Sequence, residues 1–275
     1  MLFRSGGVVC FDAALGDRAD RRRLLAEALR RPDVAAHLAV VYQPVVELAT
    51  DRILGAEALV RWSSPTTGPV APDELIALAE ATGEIGEISE HIVRTALADL
   101  VGRFRPLAAD FGLSINLSPV HLGVEGAVDL VDGLIAESGA DRRRLWIEMT
   151  ETAVREGDTV VDPLSALRER GLDVALDDFG TGHSSFARLR TLPVTGIKID
   201  KAFVAGVAWD PVAQSLIAAQ VAIAEALGIE VLAEGIETEE ERTALLGLGI
   251  TMGQGFGLHR PMAADDLVAL LRARA

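Results

Sequence analysis

The sequence lacks the features that would place it in a membrane or in an oxidising compartment. A single cysteine, Cys10, excludes an internal disulfide and fits a reducing environment. No apolar run reaches the roughly 18 residues that a transmembrane helix needs, and the N-terminus has no long apolar core of a secretory signal. We therefore expect a cytoplasmic segment without membrane contact of its own, although the full-length protein could be anchored upstream.

Basic residues are also in short supply. The 26 lysines and arginines face 41 aspartates and glutamates, which gives a formal net charge of −15. Duplex nucleic acid requires a basic face, so this chain is a poor candidate for binding it. A small anionic ligand is not excluded, because local charge matters more than the total. Acidic residues gathered in one place would favour divalent cations.

The 275 residues, 49% of them apolar, suit one large domain or two small ones. Short apolar runs with β character recur along the chain, and longer helical patterns separate most of them, as at 72–83, 89–104, 162–171 and 213–228. Only ATDRI separates the first two runs, which predicts an antiparallel hairpin. The eight runs lie at 39–48, 54–62, 111–119, 145–151, 173–180, 196–200, 229–237 and 252–257.

This alternation predicts an α/β fold, a (β/α)8 TIM-type barrel with an antiparallel first strand. An open doubly wound sheet is the alternative, but no strand–GxGxxG–helix opening supports it. Residues 1–29 are expected to form an N-terminal helical cap or a linker. Residues 30–275 would then form the barrel.

Polar residues recur at the carboxyl ends of the predicted strands, where a parallel barrel carries its catalytic groups. Each one alone has an ordinary interpretation, such as a helix cap, a turn residue or a surface carboxylate. Those interpretations do not explain why so many polar groups converge on one rim. The residues are Glu57, Asn116, Glu148, Asp177, Asp178, Lys198, Glu234 and Gln254.

The adjacent carboxylates Asp177 and Asp178 repel each other when both are ionised, and a single helix cap would need only one of them. A site of oxygen ligands favours Mg²⁺, Mn²⁺ or Ca²⁺, whereas zinc is less expected because the five histidines lie outside the set. Two ions about 3.5–4 Å apart that share a carboxylate would neutralise the pair. Such sites usually process phosphate esters, with Lys198 near the attacking water and Arg61 on a phosphate.

Several short motifs together resemble the EAL-domain family. The resemblance covers about residues 30–270, with the motifs in the family's order, and it departs from the family mildly at His183, Phe256 and Gly257. The motifs are YQPVV (42–46), EALVR (57–61), INLSP (115–119), EMTE (148–151), DDFGTG (177–182), KID (198–200), AEGIE (233–237) and QGFGLHRP (254–261).

The resemblance implies hydrolysis of cyclic di-GMP to linear pGpG with Mg²⁺ or Mn²⁺, which would lower the level of a bacterial second messenger. It implies that Lys198 holds the hydrolytic water and that Glu151 braces the loop 177–185, with Glu237 as a further supporting partner. The general base stays open. The expected metal ligands are Glu57, Asn116, Glu148, Asp177, Asp178 and Glu234. The expected catalytic residues are Glu57, Asp177, Asp178, Lys198 and Glu234. The expected substrate contacts are Gln43, Arg61 and Gln254.

Two alternatives are a catalytically silent cyclic di-GMP receptor and a metal-dependent barrel enzyme for sugar phosphates. The second lacks a glycine-rich phosphate cup after the last strands.

Calcium is expected to bind and inhibit, because it prefers longer and looser coordination. A homodimer is expected through part of residues 183–195, whose Phe186, Leu189 and Leu192 form an apolar stripe. Residues 8–31 weakly resemble the tail of a diguanylate cyclase, which suggests a fused upstream domain.

Overall fold

The computed structural model describes residues 13–151, 154, 160–180 and 186–274. They form two compact units, one with the chain up to Ala39 and Arg61–Glu84, the other with Val40–Val60 and the chain from Ile85 onward. The expected boundary after residue 29 stays a prediction. No helix in the described part of the chain has the length and apolar character required to cross a membrane.

The first unit contains two helices, α1 (Ala13–Leu29) and α2 (Pro72–Thr82), and a short strand, β3 (Gly68–Val70). Pro72 at the start of α2, with two acidic residues behind it, and the left-handed Gly83 after its end set the limits of this helix. Two hydrogen bonds from the Arg21 guanidinium to the Glu74 carboxylate, at 3.3 and 2.7 Å, connect α1 to α2. The strand β3 was not predicted, because three residues that include a proline give no usable periodicity.

Eight of the nine described strands close into a barrel, as the sequence predicts. The order is β1-β9-β8-β7-β6-β5-β4-β2, and a β1–β2 pairing closes the ring. β1 runs antiparallel to β9, while β2 and its successors in the ring are parallel to one another. These strands are β1 (Leu38–Glu47), β2 (Ile53–Ser64), β4 (Gly112–Asn116), β5 (Leu145–Thr150), β6 (Asp173–Phe179), β7 (Gly196–Ile199), β8 (Glu230–Ala233) and β9 (Met252–Gly253).

The predicted hairpin between β1 and β2 is confirmed. Asp51 adopts a left-handed φ of 60°, a conformation that aspartate tolerates better than most residues. The Glu47 amide donates to the Arg52 carbonyl at 2.9 Å and closes the turn. The reversal at this turn makes β1 the one antiparallel member of the ring.

The last two strands end earlier than the expected runs 229–237 and 252–257. Gly235 takes a φ of 68°, so the chain turns out of the extended conformation directly after β8. The Ile236 amide then donates to the Gln254 carbonyl, and the Gln254 amide donates to the Ala233 carbonyl. Glu234 and Gln254 therefore stand on irregular backbone that begins where the ladder stops.

The helices of the second unit alternate with the strands and confirm three of the four helical patterns, and α2 of the first unit confirms the fourth. The pattern 89–104 begins earlier than expected, as α3 (Ile85–Asp99), and ends in a π-helical turn, Leu100–Phe104. The long helix α9 (Pro211–Leu227) follows Asp210, which acts as a capping acceptor, and has Pro211 in its first turn. The left-handed Gly228 ends it. These helices are α3 (Ile85–Asp99), α4 (Pro119–Leu122), α5 (Ala127–Ser138), α6 (Val161–Glu169), α7 (Phe186–Leu189), α8 (Lys201–Val204), α9 (Pro211–Leu227), α10 (Glu239–Gly247) and α11 (Ala264–Arg274).

Candidate metal centre

Barrel closure gathers the polar strand ends into one layer. Asn116 lies opposite Glu148 in the β4–β5 register, and Thr150 lies opposite Asp177 in the β5–β6 register. Because neighbouring strands are about 5 Å apart, side chains that leave such positions on the inner face come within contact distance. We call the group of Glu57, Asn116, Glu148, Asp177, Asp178, Lys198, Glu234 and Gln254 the polar layer.

Lys198 occupies the centre of the polar layer. Its Nζ lies 2.7 Å from Glu234 Oε1, 2.8 Å from Glu148 Oε2, 3.1 Å from Glu57 Oε2 and 3.4 Å from Asp177 Oδ1. The residue is 2% exposed. An ammonium group offers three protons, so four carboxylates within 3.4 Å exceed what it can bond at one time. Its main contribution to the other side chains is therefore charge.

Two amides hold the Glu57 carboxylate from the other side. Asn116 Nδ2 donates to Glu57 Oε1 at 2.7 Å. Gln254 Nε2 donates to Glu57 Oε2 at 2.7 Å and to Glu234 Oε1 at 2.8 Å. Glu57 thus has both oxygens bonded and a fixed orientation.

The described residues contain two groups of three carboxylates whose oxygens could hold a metal ion. Glu57, Glu148 and Asp177 form one group, and Asp177, Asp178 and Glu234 form the other, with ligand atoms within 4.8 Å of one another in each. Asp177 belongs to both. The donors are oxygens alone, which is the ligand chemistry of hard divalent cations. Five carboxylates face one ammonium, and the excess of four negative charges equals the charge of two divalent ions.

The positive charge of Lys198 influences which carboxyl groups of the polar layer are ionised. Burial would lower the pKa of Lys198, but the charges of Glu148, Glu57 and Glu234 hold it well above its usual range. Burial would also raise the pKa of Glu57, but the Lys198 charge and the amide hydrogen bonds hold it below its usual range. Glu57 and Lys198 are therefore the pair whose charged forms this arrangement favours.

Three further carboxyls resist ionisation. Burial, followed by the negative charge of Glu57, raises the pKa of Glu148 well above its usual range. Burial raises the pKa of Glu234 to about 7, against the opposing effect of Lys198. Burial and the Asp177 charge raise the pKa of Asp178 to about 6. Groups that hold protons near neutrality at a shared site release them when a cation binds.

The backbone after Asp177 is strained and specifically held. Asp178 has a φ of 54°, and its amide donates to Asp177 Oδ1 at 2.9 Å. The Gly180 amide donates to Glu151 Oε2 at 2.7 Å, and Glu151 is 3% exposed. The expected brace from Glu151 thus reaches the start of the loop, while residues 181–185 lie outside the described part of the chain.

The other predicted site residues lie in different surroundings. Gln43 is buried on β1, and its Nε2 donates to the His259 carbonyl at 3.4 Å. Arg61 is half-buried on β2 in the first unit. The Glu237 amide donates to Glu241 Oε2 at 2.8 Å. A Cβ on Gly257 would meet the Glu237 carbonyl at 2.3 Å, which explains the small residue at that position.

Sequence reasoning gave no role to Asp200, although it belongs to the quoted KID motif. Asp200 is 8% exposed and caps α8, accepting from the Ala202 amide at 2.9 Å. It also hydrogen-bonds the Asp178 carboxyl, which contributes to the raised pKa of Asp178. Its position two residues after Lys198, directly beyond the end of β7, was the available signal, because alternate residues of an extended backbone share a face.

Comparison with known proteins gives the family of this fold and site. A family model described as EAL domain matches residues 24–261. Bifunctional diguanylate cyclase/cyclic di-GMP phosphodiesterase MucR of Pseudomonas aeruginosa is 34% identical over 264 residues, which cover 96% of this chain and 38% of MucR. Cyclic di-GMP phosphodiesterase PA2567 of the same organism is 37% identical over 234 residues, which cover 85% of this chain and 40% of that protein.

Solved structures agree with the sequence matches. The EAL enzyme Bd1971, in a form bound to cAMP and cyclic-di-GMP, has a TM-score of 0.85 and 31% identity, covering 94% of this chain and 70% of that one. The MucR phosphodiesterase in complex with c-di-GMP has a TM-score of 0.81 and 35% identity, covering 89% and 99%. This chain spans between 31% and 43% of the length of the curated relatives that it matches. The family model and these relatives cover most of the chain, and the chain belongs to the EAL domain family.

Proposed function

We propose that this chain is a metal-dependent phosphodiesterase that hydrolyses cyclic di-GMP to linear pGpG. The observation that carries the proposal is the position of Asp177, whose carboxylate belongs to both oxygen clusters. A carboxylate shared by two clusters suits a pair of ions on one phosphodiester. The naming of MucR and PA2567 as cyclic di-GMP phosphodiesterases supports this substrate.

Two Mg²⁺ or Mn²⁺ ions would be held by Glu57, Asn116, Glu148, Asp177, Asp178 and Glu234. When bound, such ions polarise a phosphoryl oxygen and provide a nucleophilic water at neutral pH. Glu57 suits a ligand role because the Lys198 charge and two amide hydrogen bonds keep it ionised and oriented. Asp177, Asp178 and Glu234 complete the catalytic set.

Lys198 acts as a hydrogen-bond donor and a positive charge, not as the general base. The carboxylates around it hold its pKa well above the usual range, so its Nζ has no lone pair to accept a proton at neutral pH. A buried ammonium at the centre of the polar layer would orient an attacking water through an N–H group that a carboxylate gives up on binding a metal ion, and it would stabilise negative charge that develops on the phosphate.

Gln254 is the substrate contact that the polar layer supports most directly. Its Nε2 is bonded to Glu57 and Glu234, while its Oε1 is buried without a hydrogen-bond partner among the described residues. A buried amide oxygen without a partner costs free energy, on the order of 1–3 kcal/mol. A donor on the substrate would recover it. Gln43 and Arg61 are proposed as the further contacts, Arg61 with a phosphate.

The deciding experiment is incubation of the chain with cyclic di-GMP and Mn²⁺, followed by chromatography for pGpG. Appearance of pGpG supports the phosphodiesterase. Tight binding of cyclic di-GMP without turnover would identify a silent receptor instead, and hydrolysis of sugar phosphates alone would indicate another barrel enzyme. Ca²⁺ is proposed to compete with Mn²⁺ and to inhibit, because its longer bonds suit the two clusters less well.

The chain is also proposed to act as one domain of a longer cytoplasmic protein. The span of about a third of its relatives' length and the diguanylate cyclase activity named for MucR support a fused upstream domain. Residues 1–29 would then be the linker and 30–275 the phosphodiesterase. We retain the homodimer through residues 183–195, of which 183–185 lie outside the described residues. Leu189 is 4% exposed within the chain, so this side chain packs inward rather than across a dimer contact.

A further inference from the structure

The interior of the barrel is underfilled directly beneath the polar layer. Inward-facing positions recur every second residue along a strand, and TIM barrels usually fill them with bulky branched side chains. Two residues before Glu57, Glu148, Asp177 and Lys198, the next inward positions are Gly55, Trp146, Ala175 and Gly196. Three of these four residues have no side chain beyond Cβ.

The one large side chain at this level, Trp146, fills only part of the space. Its ring lies against Gly196, where a Cβ would come within 2.8 Å of Trp146 Cζ3. A cavity of about 120 Å³ is left, which we call the barrel cavity. Its lining includes Val45, Ser114, Trp146, Ala175, Leu232 and Met252.

The walls of the barrel cavity are accessible. Val45, Trp146, Leu232 and Met252 are only half-buried although they face the inside of a barrel. Apolar side chains in such positions are normally packed to crystal-like density. Their remaining exposed surface is surface that an apolar occupant would cover.

The roof of the barrel cavity does not offer a free charge. Glu148 and Lys198 line it, but they bond each other at 2.8 Å. Ser114 adds one hydroxyl. Glu230, at the start of β8, also lines the cavity, and burial together with the Asp173 charge raises the pKa of its carboxyl, which disfavours the ionised form. A mostly apolar wall beneath groups that bond each other favours an uncharged molecule. The volume is slightly below the roughly 150 Å³ of an engineered apolar cavity in another protein that binds benzene or xenon.

We propose that the barrel cavity is a binding site for a small, uncharged, largely apolar molecule of about benzene size. The site lies beneath the metal clusters and shares Glu148 with one of them, so its occupant contacts Glu148 and Lys198 from below. Binding itself does not depend on the proposed phosphodiesterase function. An effect of the occupant on turnover does rest on that function and is measured separately.

The test uses the full chain labelled with 5-fluorotryptophan and titrated with benzene. The sequence has three tryptophans, which give three ¹⁹F resonances that single Trp→Phe variants assign. The Trp146 resonance is expected to shift and saturate, because its ring forms a wall of the cavity. Trp209, 69% exposed, and Trp62, 3% exposed, serve as internal controls that should not move. Equal shifts of all three resonances, or none at Trp146, would overturn the proposal.

A cavity-filling variant locates the binding. Ala175→Leu places three more carbons in the cavity and should weaken benzene binding at least about tenfold, and Ala175→Val is the smaller alternative if the leucine variant does not fold. Ala269→Leu, on an exposed position of α11, is the matched control and should bind as the parent does. Undiminished binding by the folded filling variants would show that the occupant sits elsewhere. A xenon-pressurised crystal should show a peak beside Trp146 and Leu232, and a peak only at other places would contradict the assignment.

Discussion

The Lys198 ammonium and the Glu148 carboxylate lie 2.8 Å apart, and the two residues are only 2% and 3% exposed. They belong to strands β7 and β5, which are not neighbours in the barrel. The contact therefore spans the barrel interior. Carboxylate oxygens of Glu57, Asp177 and Glu234 also lie close to the same Lys198 Nζ. Removing Lys198 would leave four carboxylates without their shared counter-ion, and breaking a buried ion pair costs about 3–5 kcal/mol in general.

Glu57→Gln should reduce turnover of cyclic di-GMP at least about 100-fold without unfolding the chain. The change removes one proposed ligand charge, and losses in metal sites reach that range even for supporting residues. The fold should survive with some loss of stability, because Lys198 favours the ionised form of Glu57 but keeps three other carboxylates as partners. Product formation and thermal unfolding measure the two effects. Glu225→Gln, on an exposed position of α9, is the control, and near-normal turnover by Glu57→Gln would remove Glu57 from the ligand set.

Lys198→Ala should lower kcat far more than it weakens substrate binding. Its proposed partner is the attacking water, whereas Arg61→Ala should mainly weaken binding through a lost phosphate contact. Lys198→Ala should also lower the melting temperature in chelator-treated protein, because four carboxylates lose their counter-ion. Mn²⁺ should restore part of that loss. Steady-state kinetics and calorimetry test both points, and an exchange of the two kinetic patterns would exchange the two roles.

Metal affinity should rise between about pH 5 and pH 8. The pKa values of Asp178 and Glu234 are raised to about 6 and about 7, so protons compete with the cation below those values. A raised carboxyl pKa also means that its contribution to stability is fully present below the unfolded-state pKa and is lost as pH rises through the folded value. Chelator-treated protein should therefore become less stable over the same interval.

Calorimetric titration with Mn²⁺ and thermal unfolding, each repeated across this pH range, measure the two trends. Glu234→Gln should flatten the upper part of the stability profile, because it removes the group with the higher pKa. A metal affinity that does not change from pH 5 to pH 8 would contradict the assignment of these carboxyls to the metal clusters.

Glu151→Ala should weaken metal binding about 10–100-fold, the range found for residues that orient metal ligands. Glu151 Oε2 accepts the Gly180 amide at 2.7 Å and so holds the backbone that carries Asp178. Glu151→Gln keeps an accepting oxygen and should retain most of the affinity. Mn²⁺ titration of both variants separates these outcomes, and equal losses would point to the charge of Glu151 rather than its hydrogen bond.

Arg190→Glu should weaken a homodimer formed through residues 183–195. Arg190 is exposed on the turn after α7, whereas Arg188 bonds the Val154 carbonyl at 2.8 Å, so its replacement would also disturb the chain itself. Light scattering at micromolar concentration gives the mass of the parent and the variant. A parent chain that is monomeric at 29.1 kDa and fully active would contradict the coupling of assembly to turnover.

The strand ends show how far the sequence predicts the site. Glu57, Glu148, Asp177 and Lys198 were selected as polar groups toward the carboxyl ends of the predicted strands, and the structure places the three carboxylates within 3.4 Å of the Lys198 Nζ. The runs of β8 and β9 were predicted too long. Gly235 breaks the extended backbone there, and hydrogen bonds between residues far apart in the chain replace the ladder.

The sequence by itself determined the alternation of strands and helices, because hydrophobic periodicity is local, and it determined the chemical types at the strand ends. Only the tertiary structure decided which of these groups touch. The Gln254–Glu57 contact joins residues 197 positions apart, and its distance depends on closure of the whole ring. For the same reason, the central position of Lys198, the contact of Asp200 with Asp178 and the cavity beneath the polar layer follow from the barrel and from no local pattern.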